Sequence, residues 1–200
     1  MPRVSEAHLA ARRQQILDAA RICFARNGFH ATSMQDVINE AELSVGAFYR
    51  YFRSKEELVQ AIAEEVLGTV DVMLDEMRAM DSPPPVAEVM RRLLRFVDLQ
   101  VGPAGVFPMA LQVWAESLRN PQLAEFVRQV YGKMRAHFDD LARRQIEAGH
   151  LPAGTDPAAV GSVLFGLIPA YALQRVLLGE LEPETFIAGI EALMHPTTPR

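Results

Sequence analysis

The spacing of apolar residues is helical along almost the whole chain, and this pattern restricts the fold more than any other feature. Apolar side chains recur every three or four positions, as on one face of an α-helix, and no segment alternates as a half-buried strand does. The longest stripe runs from Leu58 to Met77 and predicts a helix of about 25 residues. Further stripes comprise Ile16, Ala20, Cys23 and Phe24; Met90, Leu93 and Val97; Val106, Ala110, Val113 and Trp114; and Leu123, Val127, Val130, Met134, Phe138 and Leu141. The sequence therefore predicts an all-α fold with about nine helices.

Prolines, glycines and capping residues mark the ends of these helices. Gly28 ends the first stripe, and the prolines in 81–85 end the long helix because they remove backbone donors. A second interruption is predicted at 102–108. Ser54 and Glu57 predict a capping box at the start of the long helix. An N-cap followed by proline occurs twice, at Asn120-Pro121 and at Asp156-Pro157.

The residue types that carry catalysis are scattered along the chain. The single cysteine, Cys23, excludes an internal disulfide framework, and its place on an apolar stripe predicts a buried, inert thiol. The five histidines lack zinc-binding spacing, and no nucleophile elbow, phosphate-binding loop or dinucleotide fingerprint occurs. We therefore expect no enzyme activity, no metal and no cofactor. No secretory signal is visible near the start of the chain, so we expect a cytoplasmic location.

Charge is distributed unevenly, although the net charge of the chain is −5. Residues 1–55 carry eight Lys and Arg against five Asp and Glu, a net charge of +3. The other residues carry 12 bases against 20 acids, a net charge of −8. This asymmetry permits a nucleic-acid-binding face in the N-terminal part of the chain without proving one.

Residues 32–58 read as two short helices joined by a tight turn. Thr32 or Ser33 can cap the first helix and Ser44 can cap the second, because their hydroxyl oxygens accept hydrogen bonds from unpaired backbone N–H groups. Such a helix-turn-helix fits its second helix into the major groove of DNA. The segment therefore predicts a DNA-binding module.

The second helix combines small residues with side chains that suit phosphate oxygens. Val45 and Gly46 keep its leading end slim enough to approach base edges. The hydroxyls and cations that follow suit the phosphate backbone. They are Tyr49, Arg50, Tyr51, Arg53 and Lys55.

The joint pattern of residues 12–60 resembles the DNA-binding domain of the TetR family of transcriptional repressors. The matching residues are Ile16, Ala19, Ala20, Phe24, Gly28, Thr32, Asp36, Val37, Ala41, Ser44, Gly46, Phe48, Tyr49, Tyr51, Phe52, Lys55, Glu57 and Leu58. The resemblance implies that the motif spans about residues 33–52 and that Val45 and Gly46 contact base edges. It implies phosphate contacts for Thr32, Ser44, Tyr49, Tyr51 and Lys55. Ser33 and Arg50 complete the set of candidate DNA-binding residues.

Two residues depart from the family pattern. Glu42 stands where a glycine is frequent in the turn, so we expect a slightly different turn geometry. Val45 replaces a residue that is often polar or basic. We therefore expect Val45 to read DNA through apolar contact, as with a thymine methyl group.

Residues 157–174 form an uncharged segment near the C-terminal end. Its 18 residues reach the lower limit for a membrane span, which gives one rival interpretation, a membrane-attached helical protein. In a helical protein outside the membrane, a helix that is apolar all round must be covered on every side. We therefore expect helices at about 157–179 and 183–194 to form the twofold seam of a homodimer.

The resemblance implies a DNA-binding domain at 1–55 and a ligand-binding and dimerisation domain at 56–200. Residues 110–149 are also similar to the ligand domains of BetI-like family members. The family implies a pocket for a small hydrophobic or aromatic effector that releases DNA. The candidate lining residues, each of which has a place in the core as its alternative, are Phe96, Phe107, Trp114, Met134, Phe138, Phe165, Tyr171 and Arg175.

The expected function is therefore a ligand-responsive transcriptional repressor that binds a palindromic operator as a homodimer. We expect the effector to tilt the long helix that begins at Ser54 and so to change the separation of the two recognition helices. The alternative is a helical small-molecule-binding or adaptor protein that does not bind DNA. Activation also stays open, because the sign of regulation depends on where the operator lies.

Overall fold

The computed structural model describes residues 6–102 and 105–194, and these residues form nine α-helices and no strand. The helices are α1 (Glu6–Ala31), α2 (Met34–Glu40), α3 (Val45–Phe48), α4 (Lys55–Arg78), α5 (Val86–Asp98), α6 (Val106–Ser117), α7 (Pro121–Glu147), α8 (Pro157–Leu178) and α9 (Pro183–Met194). The predicted all-α fold is confirmed.

Most helix ends lie where capping residues and prolines predicted them. The Asn120 carboxamide oxygen accepts from the Leu123 N–H at 3.2 Å, and the Asp156 carboxylate accepts from the Ala158 N–H at 3.0 Å. The second interruption is shorter than predicted, because α6 begins at Val106 and takes Pro108 into its first turn. A proline fits there, since the first four N–H groups of a helix have no helical partner.

Two other helix ends differ in detail from the predictions. Helix α1 breaks at Gly28, as predicted, but a further helical turn follows the break and ends at Ala31. At the start of α4 the Ser54 hydroxyl accepts from the Glu57 N–H at 3.3 Å. The Glu57 carboxylate, however, accepts from the Arg53 N–H at 2.7 Å, so the predicted capping box forms only by half.

The first of two compact units contains the described residues up to Gly68 together with 105–127. Its core is formed by α1, α2, α3, the first half of α4, α6 and the start of α7. The packing therefore adds α6 to the predicted DNA-binding domain, and the functional boundary at residue 55 stays a prediction. The larger fully buried side chains are Ile16, Leu17, Phe24, Phe48, Leu58, Ile62 and Leu123.

The second compact unit contains residues 69–102 and the described residues from 128 onwards. Within it α5 packs against α8 and α9. Arg91 on α5 forms an ion pair of 3.1 Å with Glu191 on α9. The buried residues of α5, at a spacing of three or four, are Val86, Val89, Met90, Leu93, Leu94 and Val97.

Helix α8 leaves much of its apolar surface exposed. Among the described helices it alone is long and apolar enough, by length and composition, to cross a membrane. Leu177 on α8 is 68% exposed and Leu193 on α9 is 84% exposed. The other large exposed apolar residues on these two helices are Val163, Leu173, Leu178 and Met194. We call the exposed apolar residues of α8 and α9 the C-terminal apolar face.

Candidate nucleic-acid interface and effector site

The first helix of the predicted helix-turn-helix, α2, is held at its start by a complete capping box. The Ser33 hydroxyl oxygen accepts from the Asp36 N–H at 3.1 Å, and the Asp36 carboxylate accepts from the Ser33 N–H at 2.8 Å. The hydrogen bond from the Ser33 backbone lowers the pKa of Asp36, and a second bond from the Ser33 hydroxyl adds to the shift. Ser33 is exposed, so its position fits its predicted place among the DNA-binding residues, although its hydroxyl proton is already engaged with Asp36.

Glu42 gives the turn the backbone conformation that a glycine would give it. Its φ of 52° is left-handed, its N–H donates to Asn39 O at 3.1 Å, and the Leu43 N–H donates to Ile38 O at 3.3 Å. This pair of bonds defines a Schellman motif at the end of α2. The expectation of a different turn geometry is therefore wrong, because Glu42 adopts the left-handed conformation despite its side chain.

The second helix, α3, has one buried residue and an exposed leading end. Phe48 is fully buried, and the Ser44 hydroxyl caps the helix by accepting from the Ala47 N–H at 3.3 Å. Val45 is 50% exposed, and nothing lies within 4 Å of the place that a Cβ on Gly46 would occupy. Because Phe48 is buried, it fixes the short helix α3 against the core. Val45 and Gly46, at the start of the same helix, face solvent.

The aromatic and basic residues after α3 differ in how freely they reach solvent. Tyr49 is exposed and stacks edge-on against Phe48, with ring centroids 5.8 Å apart. Arg50 is exposed, and its guanidinium has no ion-pair partner within residues 6–102 and 105–194. Tyr51 is half-buried against the core of the first unit. Tyr49, Arg50 and Arg53 are therefore the exposed members of this set of predicted phosphate contacts.

The structure gives Thr32 a buried position. It is 1% exposed, and its hydroxyl donates to Gly28 O at 2.7 Å and to Cys23 O at 3.1 Å. A phosphate oxygen has no access to this side chain. The predicted phosphate contact of Thr32 is therefore corrected. Its hydroxyl instead stabilises the connection between α1 and α2 by bonding to backbone carbonyl groups of α1.

Lys55 is already engaged with the end of α1. Its ammonium donates to Phe29 O at 2.9 Å and to His30 O at 3.2 Å, and it lies 4.7 Å from the centre of the Phe29 ring. These contacts leave part of the half-buried side chain accessible. Its predicted phosphate contact stays a prediction.

Three aromatic rings meet between α7 and α8 in the second unit. The Phe165 ring lies 6.0 Å from that of Phe138 and 4.9 Å from that of Tyr131. Burial raises the pKa of Tyr131. The sequence analysis missed Tyr131, although it stands seven residues before Phe138 and therefore on the same helix face. We call Tyr131, Phe138 and Phe165 the aromatic cluster.

Two residues predicted to bind the effector instead tie α8 to the end of α5. The buried Tyr171 hydroxyl donates to Asp98 Oδ1 at 2.8 Å, and Arg175 Nε donates to the same oxygen at 2.7 Å. Burial, and then the bond to Asp98, raises the pKa of Tyr171. The bond to Asp98 raises the pKa of Arg175. We correct these two assignments, because both polar groups are satisfied within the protein.

The remaining effector candidates are divided between the two units. Phe107 and Trp114, on α6, belong to the first unit and are half-buried. Met134 is buried and Phe96 half-buried in the second unit. Within each unit these positions are also explained by core packing, so their effector contacts stay predictions.

A network of polar side chains in the second unit connects α4 to α7. Arg78 Nη2 lies 2.7 Å from His137 Nδ1, and His137 Nε2 lies 2.9 Å from Asp71 Oδ1. Since a guanidinium only donates, Nδ1 accepts and Nε2–H donates to Asp71. The Arg78 Nε also donates to Asp140 at 3.2 Å. This network joins α4 to α7 and explains why polar residues interrupt their apolar stripes.

Comparisons with known proteins place this architecture among bacterial regulators. A model of bacterial regulatory proteins of the tetR family matches residues 16–62, and a model of the C-terminal part of BetI-type transcriptional repressors matches residues 87–195. The HTH-type transcriptional repressor Rv1474c of Mycobacterium tuberculosis is 33% identical over 178 residues, 82% of this chain and 95% of the relative.

Solved structures show the same fold. Salmonella enterica GusR superposes with a TM-score of 0.76 at 24% identity, covering 96% of this chain and 97% of that one. FadR of Bacillus subtilis, in complex with stearoyl-CoA, superposes with a TM-score of 0.71 at 18% identity, covering 92% and 99%. The exposed helix-turn-helix, the nine-helix fold and the matched family models together establish that the chain belongs to the TetR family of bacterial transcriptional regulators, which are not enzymes.

Proposed function

We propose that the protein is a ligand-responsive repressor that binds a palindromic operator as a homodimer. The observation that carries the DNA-reading role is the exposed leading end of α3, Val45 and Gly46, held in place by buried Phe48. The open space at Gly46 allows close approach to base edges in the major groove. Val45 supplies an apolar contact, with a thymine methyl group as its natural partner.

The phosphate contacts surround this reading end. Tyr49 and Arg50 are exposed and suited to bind phosphate oxygens on one side, and the capping hydroxyls of Ser33 and Ser44 lie at the two helix starts. Tyr51 and Lys55 contribute through the parts of their side chains that reach solvent. Such contacts fix the orientation of α3 without reading sequence.

Dimerisation is proposed to bury the C-terminal apolar face against the same face of a second copy. Covering a large aliphatic side chain contributes about 1.5–3 kcal/mol, so a few residues such as Leu177 and Leu193 stabilise a dimer. A twofold axis then presents two copies of α3, which must match successive major grooves about 34 Å apart.

The effector is proposed to be a small apolar molecule that binds beside the aromatic cluster. Aromatic rings supply large apolar contact area, and FadR, a regulator of the same fold, is known in complex with stearoyl-CoA. Helix α4 starts directly after the helix-turn-helix and continues into the second unit. A shift of α4 on effector binding would therefore change the spacing of the two recognition helices.

The DNA-binding proposal is tested by fluorescence anisotropy with duplexes selected from a random pool. We expect the affinity to fall steeply with salt, because each phosphate contact releases counterions. Tyr49→Phe should weaken binding to every sequence by a similar factor, whereas Val45→Ser should change the base preference at one position. Tyr171→Phe, which removes a hydroxyl in the second unit, is the matched control and should bind as the wild type. If the protein bound no duplex from any pool at low salt, the result would favour the alternative, a small-molecule-binding or adaptor protein that does not bind DNA.

The effector proposal is tested by a thermal-shift screen of small aromatic and aliphatic compounds. A true effector should raise the melting temperature of the wild type and not that of Phe165→Ala. Linkage also requires operator DNA to weaken effector binding by the factor by which the effector weakens DNA binding. Calorimetry that found equal affinity for free and DNA-bound protein would contradict the mechanism.

A further inference from the structure

We infer that Gln112, on α6, is a positioning residue that sets the angle between α1 and the helix-turn-helix. The inference rests on the proposed role of α3 in reading DNA. Gln112 lies 83 positions from Phe29 in the chain, yet its side-chain oxygen accepts the Phe29 N–H at 2.7 Å. This bond joins α6 to the point at which α1 breaks.

The backbone of α1 leaves helical geometry at Gly28. Gly28 has φ 80° and ψ 164°, which interrupts the hydrogen bonding of α1. The Phe29 N–H is therefore separated from the carbonyl that it would meet in a continuous helix. Phe29 is 4% exposed, and the bond from its N–H to the exposed Gln112 is partly buried. Without Gln112 this partly shielded donor would lose its protein acceptor, which is unfavourable.

The segment 28–33, which we call the α1–α2 joint, is held in one conformation by groups other than Gly28. A glycine explores left-handed and right-handed backbone conformations at little cost, so Gly28 does not fix its own angle. Side-chain hydrogen bonds do so instead: Thr32 binds Gly28 O and Cys23 O, and Lys55 binds Phe29 O and His30 O. Gln112 adds the bond to the N–H group of this joint. Removing the Gln112 side chain would leave the hydrogen bonds from Thr32 and Lys55 to the carbonyl groups in place. The angle between α1 and the helix-turn-helix would then be less restricted.

The bond orients the helix-turn-helix and not α6, because α6 is held by its own packing. Met109 and Val113, which flank Gln112 along α6, are both buried in the core of the first unit. Helix α6 is thus fixed by packing, and Gln112 presents its oxygen from a fixed place. A Cβ on Gly28 would lie 2.7 Å from that oxygen, so the bond in this geometry requires a residue without a side chain at position 28. The α1–α2 joint takes its angle from α6, and α3 follows α2 through the Schellman turn.

The experiment compares Gln112→Met with Gln112→Glu. Methionine keeps the length and loses the acceptor, whereas glutamate keeps an oxygen that accepts the Phe29 N–H. Ala115→Glu, an exposed position on the same helix, controls for the added charge. The first readout is hydrogen exchange of the Phe29 amide in the protein without DNA. The second is affinity for duplexes selected on the wild type.

We expect exchange of the Phe29 amide to accelerate by about tenfold in Gln112→Met, because a protecting hydrogen bond is lost, and to stay slow in the other two variants. The amide of Phe48, in the recognition helix, should keep its wild-type rate in all of them. DNA affinity should fall by about fivefold in Gln112→Met, as expected for one hydrogen bond that preorganises the binding surface. Gln112→Glu should bind like Ala115→Glu.

Three results would overturn the inference. Unchanged exchange at Phe29 in Gln112→Met would show that the bond does not protect the joint. Parallel acceleration at Phe29 and Phe48 would show a general loss of stability instead of a local one. Wild-type DNA affinity in Gln112→Met would show that the joint does not orient α3. If the wild type itself bound no duplex, the proposed function would fail, while the exchange measurement would still decide whether Gln112 fixes the joint.

Discussion

Glu42 carries an identifiable backbone cost at the residue scale. Among the residues that the structure describes, it alone has a positive φ without being a glycine. A left-handed conformation brings Cβ close to the following carbonyl oxygen and costs roughly 1–2 kcal/mol. The Schellman hydrogen bonds from Glu42 and Leu43 offset this cost, so the turn keeps its shape although its residue is unfavourable.

Glu42→Gly should therefore stabilise the protein. We expect the free energy of unfolding, measured by urea denaturation, to rise by about 1 kcal/mol, since the removed strain exceeds the extra flexibility of glycine in the unfolded chain. Glu42→Ala is the matched control, because it removes the charge and retains the strained Cβ. An equal gain in both variants would assign the effect to charge and contradict the backbone explanation.

At the element scale, the sequence predicted helix ends well where the signal is local. Ser33 caps α2, Ser44 caps α3 and Asp156 caps α8, each through a partner two or three residues away. Such contacts follow from residue type and spacing alone. The exposed position of Val45 and Gly46 was predictable for the same reason, since both directly follow the cap at Ser44, and their contact with base edges stays a prediction.

Contacts between distant elements escaped prediction. Thr32 has the sequence appearance of an exposed capping residue, yet the break at Gly28 turns its hydroxyl inward onto Cys23 O. Arg175 and Tyr171 share Asp98, which is more than 70 residues away. The sequence marks both as polar groups near an apolar segment and contains no signal for the partner that satisfies them.

The crossing of α7 and α8 depends on a glycine. A Cβ on Gly161 would lie 2.7 Å from the backbone N of Asp139 and would collide with its side chain. Gly161→Ala should therefore lower the free energy of unfolding by about 1–3 kcal/mol, as overpacking does. Gly132→Ala is the control, because Gly132 on α7 has nothing within 4 Å of a Cβ and should gain up to about 1 kcal/mol from helix propensity. Urea denaturation at neutral pH measures both, and equal stabilities of Gly161→Ala and the wild type would refute the close crossing.

The bond between α5 and α8 predicts a pH dependence in alkali. Tyr171 has a raised pKa in the folded protein, so its phenol keeps its proton at a pH where the unfolded chain, with a tyrosine pKa near 10, has released it. The folded state then binds more protons than the unfolded state, and stability falls as pH rises. The slope from this one group is about 1.4 kcal/mol per pH unit above pH 10.

Tyr171→Phe removes this group and should flatten the fall. Below pH 10 the variant should be less stable than the wild type by about 1 kcal/mol, because the hydrogen bond to Asp98 is lost. Above pH 10 the stability of the wild type should fall to that of the variant within about one pH unit and then below it, because the slope of about 1.4 kcal/mol per pH unit exceeds the initial difference. The measurement is urea denaturation at half-unit steps of pH, and parallel curves would show that Tyr171 ionises in the folded protein as it does in the unfolded one.

At the scale of the whole molecule, the charge asymmetry and the apolar C-terminal helices were readable from the sequence, but the division into compact units was not. Residues 105–127 follow α5 in the chain and nevertheless pack with α1. Helical periodicity identifies which face of α6 is buried, but it does not identify the helix against which that face packs. Only the folded chain shows that Met109 and Val113 belong to the core beneath the helix-turn-helix.

The C-terminal apolar face supplies the last prediction, which concerns assembly. A glutamate at 177 would place a charge inside an apolar seam, where it is unpaired and strongly unfavourable. Leu177→Glu should therefore be a folded monomer by sedimentation at micromolar concentration, whereas we expect the wild type to be a dimer. It should also lose most operator affinity, since a single half-site gives up the second set of contacts.

Leu118→Glu is the matched control, because Leu118 is 86% exposed at the end of α6, in the first unit. This variant should remain dimeric and should bind the operator. A circular dichroism spectrum identical to that of the wild type is required for Leu177→Glu, since a helical monomer separates lost assembly from lost folding. A wild-type protein that sediments as a monomer would remove the twofold arrangement on which operator binding is proposed to depend, and a need for detergent would assign the apolar face of α8 to a membrane.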